Sequence, residues 1–306
     1  MAGNPGEQIQ HDESNKGQRE HPEIITRGDL APRELDNGET SIVLQRHGAY
    51  VRDVERPQVG SLTPEAADLQ ADDAYNFFVS QIESTPEAER SKLKILVVAS
   101  DTDFHEGGKR STETADLALK AAQKALKQFG LSEDQILNLN TEHNLKGGDE
   151  SRPMAHLREP QMFNDSPEFV DYLVEKHGGI NLDFWIDFEG EHSKDVRETM
   201  GAEGPVQIAD RLQHSIDMLA RYAKAYHARS ENRDDRLVIW GGTHYDTISP
   251  YVKFNLFNMS PDDPLRVDYG GGINIKLAND GTTDTIIDGK KYPVPVRGRE
   301  NSNLST

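Results

Sequence analysis

Four short apolar runs set the strongest limit on what this chain can become. They are SIVLQ (41–45), LKILVVAS (93–100), QILNLN (135–140) and RLVIWGG (236–242). The first, second and fourth are short, rich in β-branched residues and lack the polar alternation of a half-solvated strand, as expected of strands buried on both faces, and the third also reads as a strand. Between them lie amphipathic stretches of helical period. One opens at Thr63 as N-cap with Pro64 at the first helical position and Glu65 in the first turn, and turns Leu69, Phe77, Phe78 and Ile82 inward. A second, 109–130, has Ser111 or Thr112 as its cap, an inner face of Ala118, Leu119, Ala122, Ala125 and Leu126, and a stop near Gly130. Strands alternating with helices predict an α/β three-layer sandwich with a mostly parallel central sheet and helices on both faces.

The remaining segments read less uniformly. SPEFVDYLVEKHGG predicts a helix with Ser166 as cap, Pro167 at its start and Gly178 after its end. LDFWIDFEGEH is aromatic and acidic, and its pattern does not decide between helix and strand; it reads as a half-buried segment with a charged outer face. From Pro205 a long helix turns Ile208, Leu212, Ile216, Leu219 and Ala223 inward. Near the end, alternating apolar residues around Asn279-Asp280-Gly281 and a second Asp288-Gly289 turn predict antiparallel strands. Gly270-Gly271-Gly272 lacks the strand-to-helix context of a phosphate loop and reads as a turn or bulge. Residues 1–38 contain no aromatic residue and read as a polar tail, with Ile24, Ile25 and Leu30 able to pack. Residues 39–306 are then expected to form one domain, with an inserted segment at about 141–200.

Composition removes several functions. The chain has no cysteine, so disulfide scaffolds, thiolate metal sites and cysteine nucleophiles are excluded. A net charge of −19 disfavours nucleic acid and anionic membrane surfaces at long range. No run approaches the roughly 18 to 20 apolar residues of a membrane span, and the first residues lack the apolar core of a secretory signal. The expected compartment is the cytoplasm.

Ligands in open α/β sheets sit beyond the carboxyl ends of the strands, and there the chain carries its chemistry. The first run leads into Arg46-His47-Gly48, the second into a loop ending at Arg110, and the last into Thr243-His244. Arginine forks match phosphate oxygens bidentately and stay charged. A neutral imidazole is a competent nucleophile toward phosphorus once its other nitrogen is pinned by a hydrogen bond. Gly48 allows a tight turn that brings backbone N–H groups near a phosphate. Such a set handles phosphoryl groups by positioning and charge, with neither metal nor cofactor.

LQRHG at 44–48, LTPE at 62–65, RSTETA at 110–115 and VIWGGTH at 238–244 resemble, in order and rough spacing, the histidine phosphatase superfamily with its phosphoglycerate-mutase-like fold. The resemblance spans about 41 to 252. It implies a phosphomonoester hydrolase acting on a small phosphate ester, with His47 as the phosphohistidine and Arg46, Arg110 and His244 around the transferred group. Arg52 is a looser match to a further phosphate contact. For the proton donor, LREPQMF at 157–163 is similar to an L-x-E-P segment of some branches, which favours Glu159; Glu142 and Asp246 are the alternatives. The mutase sequence after RHG, Glu-Ser followed by Trp-Asn, is replaced by Ala49-Tyr50-Val51-Arg52, and the acid-phosphatase R-H-G-x-R-x-P is also absent. A phosphomutase or phosphotransferase using the same pocket, and a non-catalytic phosphate-binding module, are the rival readings. Asp101, Asp103, His105 and Glu106 offer oxygen and nitrogen donors at close spacing, but read as a solvated loop.

Overall fold

A computed structural model describes residues 21–51, 60–100, 110–137 and 167–297, and the backbone of 154–157. Its centre is a seven-stranded mixed sheet in the order β4-β3-β5-β2-β7-β8-β9. Strands β2 (Thr40–Arg46), β3 (Leu93–Ser100), β4 (Met154–Leu157) and β5 (Arg236–Thr243) run parallel. The other three, β7 (Gly272–Leu277), β8 (Thr283–Ile287) and β9 (Lys290–Pro293), form an antiparallel meander added beside β2. The two turns predicted from sequence join this meander, with left-handed Gly281 in one and left-handed Asp288 and Gly289 in the other. A further two-residue strand, β1 (Ile24–Ile25), pairs with β6 (Arg266–Val267) outside the main sheet.

Strand periodicity sorts the core into two layers. Val43, Ile95, Val97, Val238 and Trp240 point to one face, where they meet α1 (Pro64–Ser84) and α2 (Arg110–Gln128). Ile42, Leu44, Leu96, Val98, Leu237 and Ile239 point to the other, against α6 (Pro205–His227) and α7 (Tyr245–Tyr251). The expected sandwich is therefore the observed one. Thr63 caps α1 by accepting from the Ala66 N–H, with Pro64 next in line.

Between β4 and α6 lie three short helices, α3 (Pro167–His177), α4 (Leu182–Glu189) and α5 (Lys194–Thr199). They bury their own apolar cluster of Phe169, Val170, Leu173, Phe184 and Phe188, closed by Ile208 of α6. Two acidic residues hold α4 in place. Asp187 accepts from Lys176 and pairs with His177 at the end of α3. Burial pushes its carboxyl up, but those bonds outweigh it and leave Asp187 below the usual carboxylate range. Glu189, 3% exposed, meets Lys253 Nζ at 2.8 Å, and Lys253 is itself 1% exposed. Lys253 lies on the π-helical segment Val252–Phe257 that continues α7, so this pair ties α4 to the main domain.

Several expectations change. The run 135–140 was expected as a strand; in its described part, 135–137, Gln135 ends a 3-10 turn and donates its side-chain amide to the carbonyls of Arg90 and Leu93. Ile136 bridges to β3 at Ile95, and residues 138–140 lie outside the described residues. The polar stretch 1–38 is structured where it is described, from residue 21. Ile25 and Leu30 are buried because β6 and the α1/α2 layer offer them apolar surface. Leu69 is 43% exposed; the inner stripe of α1 is Ala66, Gln70, Ala74, Phe77, Phe78, Gln81 and Ile82. Ser111 and Thr112 are not caps. They lie inside the first turn of α2 and donate to the Ser100 carbonyl, holding the helix start against the end of β3. LDFWIDFE is helical, with Asn181 as its cap. Among the described residues, no helix is long and apolar enough to cross a membrane.

Candidate active site

The site grows from the end of β2. The Arg46 N–H donates to the Gly271 carbonyl, and the His47 N–H donates to the Thr243 carbonyl at 3.0 Å, so the chain stays registered to both neighbours as the strand ends. Gly48 follows without positive φ. A Cβ there would lie 2.9 Å from the Ala66 Cβ and 3.2 Å from the Gln70 side chain. The glycine is needed for close approach to α1, not for an unusual turn. Gln70, buried on that helix, donates to the Arg46 carbonyl at 3.1 Å and accepts from the Thr114 hydroxyl of α2 at 2.8 Å. One amide side chain thus joins the His47 segment to the helix that begins with Arg110.

His47 is 3% exposed. Its Nδ1 lies 2.7 Å from the Gly48 carbonyl oxygen, which can only accept, so Nδ1 carries the proton. Its Nε2 then holds the lone pair, and Arg110 Nε donates to it at 2.9 Å. Burial, then the charges of Arg110, His244 and Arg46, hold the imidazole well below its ordinary pKa. At neutral pH the ring is therefore uncharged, with Nε2 as its basic atom.

The other sequence-predicted groups assemble around it. His244, 5% exposed, precedes α7 and stands edge-on to His47 with ring centroids 5.2 Å apart. Arg110, also 5% exposed, opens α2 and lies over the Tyr50 ring at 4.4 Å. Arg46 donates to the Val267 carbonyl and lies over the rings of Tyr269 (4.0 Å) and Tyr245 (5.1 Å). Burial lowers its pKa, which the neighbouring tyrosines and Asp246 oppose. Asp246 is buried on the first turn of α7, two residues after His244. Glu159, Glu142, Arg52 and the loop Asp101–Glu106 lie outside the described residues. Among the described residues, no group of three His, Asp or Glu side chains is placed to hold a metal ion.

Sequence reasoning did not single out Gln70 or Tyr269. Gln70 carried a usable signal, because it is polar on the apolar stripe of α1. Tyr269 comes from a loop distant in sequence, and no spacing rule points to it.

Pinned Nδ1, a basic Nε2 and two guanidinium groups at one strand edge are suited to receive a phosphoryl group. The carboxyl ends of β2, β3 and β5 supply them, as the α/β rule requires.

No protein-family model matches the chain, and no curated protein sequence matches it. Several solved structures are similar to it at low identity. Phosphoglycerate mutase from Bacillus anthracis str. Sterne aligns at 14% identity with a TM-score of 0.42, covering 84% of this chain and 96% of that one. A mycobacterial glucosyl-3-phosphoglycerate phosphatase aligns at 17% identity with a TM-score of 0.37, covering 81% and 97%. A protein described as mycobacterial hydrolase 2 aligns at 14% identity with a TM-score of 0.39, covering 82% and 84%.

Proposed function

We propose that the chain is a phosphomonoester hydrolase of the histidine phosphatase type, working through a covalent phosphohistidine on His47 without a metal ion. The observation that carries this reading is the state of His47. It is buried and neutral, its Nδ1 proton is held by the Gly48 carbonyl, and its Nε2 faces Arg110.

In the first step Nε2 attacks phosphorus, the P–O bond to the leaving group breaks, and a carboxylic acid gives its proton to the departing oxygen. Arg46 and Arg110 hold the equatorial oxygens, and Arg110 exchanges its bond to His47 for one to the phosphoryl group. His244 adds a donor on the same side. In the second step water attacks phosphorus, the N–P bond breaks, and the carboxylate takes the water proton. The sum is ester plus water giving alcohol plus phosphate. Glu159 is the preferred acid on its resemblance to the family pattern; Glu142 and Asp246 are the alternatives, with Asp246 two residues after His244. Arg52 is assigned a supporting phosphate contact on resemblance alone, and the cytoplasm is the compartment proposed.

The experiment is hydrolysis of p-nitrophenyl phosphate in excess EDTA by the native chain and by His47→Ala. The reading requires activity that survives EDTA and disappears in the variant. Activity that persists in His47→Ala, or that EDTA removes, would overturn it.

A further inference from the structure

A cleft of about 320 Å³ opens beside Arg46, between α4 and the segment 266–269. Its walls include Trp185 and Leu182 from α4, Tyr245 from α7, and Tyr269. Trp185 and Tyr245 pack with ring centroids 4.5 Å apart. Tyr269 is the hinge between the cleft and the chemistry: it lies under Arg46 at 4.0 Å and 6.1 Å from the His47 ring. The cleft shares Arg46 with the phosphate pocket, so an ester held on Arg46 and His47 has this aromatic-walled cavity beside it.

The walls are held, so the cleft keeps its shape. The Tyr245 hydroxyl donates to the Leu265 carbonyl at 2.7 Å, and burial raises its pKa, which keeps the phenol neutral. Glu189 and Lys253 anchor the end of the helix that carries Trp185. The rim adds little net charge. Arg266 and Asp268 stand 3.9 Å apart, both well exposed, so their fields largely cancel in water. What distinguishes this cavity is ring surface, and ring surface selects flat, apolar faces.

We infer that this cleft binds the leaving group, and that it selects phosphate monoesters of a flat aromatic alcohol over those of small aliphatic polyols. Trp185 is the specificity-determining residue, because it comes from the helix outside the strand-end pocket and supplies, packed on Tyr245, the indole face of the cleft wall. This inference rests on the phosphohydrolase reading, since the cleft is a leaving-group site only if phosphate is held at Arg46 and His47.

The test is equilibrium binding by calorimetry in a His47→Ala background, where no turnover intervenes, with 2-naphthyl phosphate, glycerol 3-phosphate and inorganic phosphate as probes. The naphthyl ester should bind at least about tenfold tighter than the glycerol ester. Adding Trp185→Ala should shrink that ratio about tenfold, and Trp185→Phe should restore most of it. Restoration by phenylalanine separates ring contact from simple misfolding of α4. Equal affinity for the two esters, or a ratio unmoved by Trp185→Ala, would overturn the inference while the phosphate pocket stands. Failure of inorganic phosphate and both esters to bind would overturn the phosphate pocket, and this inference with it.

Discussion

The strand-end pocket and the helices beside it both bury charge, but with different partners. In the pocket, Arg46 is met by a carbonyl and two tyrosine rings, and Arg110 donates to the neutral nitrogen of His47. In the flanking helices, Glu189 is met by Lys253 at 2.8 Å, and Asp187 by Lys176 and His177. The first arrangement sets guanidinium charge beside a basic nitrogen, as the proposed phosphate pocket requires. The second places opposite charges in contact and fixes one element on another. Removing a charge should therefore cost catalysis in the first region and stability in the second.

The largest separation is expected in the flanking helices. Lys253→Met leaves the Glu189 carboxylate buried, where burial already pushes its pKa up. Loss of one partner of such a pair costs about 3–5 kcal/mol, which urea unfolding would read directly. Changing Glu189 to Gln in the same chain should return part of that loss, since no uncompensated charge then remains. A Lys253→Met protein with native stability would remove the distinction between the two regions.

In the pocket, Arg110→Lys should leave stability nearly unchanged. It removes the planar fork and the Nε–H that meets His47, and should lower kcat by roughly 100-fold, the range seen when one preorganised donor is lost. Steady-state kinetics beside the same unfolding experiment would show whether the two effects separate.

Gly242 sharpens the comparison from the backbone. A Cβ there would stand 2.5 Å from the Ser111 carbonyl oxygen, in the first turn of α2. Gly242→Ala should push away the helix start that carries Arg110. The expected cost is about 1–3 kcal/mol of stability, typical of overpacking, with a fall in kcat that Arg110→Lys would no longer deepen by its full amount.

The smallest effect is on acid stability. His47 has a folded pKa well below its unfolded value, so the unfolded chain binds the extra proton first as pH falls. Its contribution is complete above about pH 6.5, the ordinary histidine value, and is lost as pH drops toward the depressed folded value. The native chain should lose more stability than His47→Ala below that pH, and parallel pH–stability curves would show that His47 is not held neutral.

The same contrast explains what the sequence made visible. Strands β2, β3 and β5 were legible because burial on both faces forces continuous apolar runs. Arg46, His47 and His244 were legible because each is a polar residue at or just beyond the end of such an element, and Arg110 because RSTETA opens the helix that follows β3. The flanking helices were harder. LDFWIDFE mixes buried aromatics with Asp187 and Glu189, and those acids are inside only because Lys176, His177 and Lys253 meet them from elsewhere in the chain. Strand β4 has four residues and pairs only with β3, at one edge of the described sheet, so its composition carries little pattern. The run at 135–140 had the composition of a strand, but Gln135, at its start, ends a 3-10 turn and its side-chain amide is held by the Arg90 and Leu93 carbonyls. At LDFWIDFE and at Gln135, tertiary hydrogen bonds decided what local pattern did not.

The central claim is that Nε2 of His47 becomes covalently phosphorylated. The direct measurement is to mix the chain with p-nitrophenyl phosphate, quench rapidly in base, where phosphohistidine survives, and map phosphorylated peptides by mass spectrometry. The account predicts a phosphoryl group on His47 that disappears on acid treatment and is absent from His47→Ala. Steady turnover of the ester with no phosphorylated His47 at any quench time, or an acid-stable label on another residue, would contradict it.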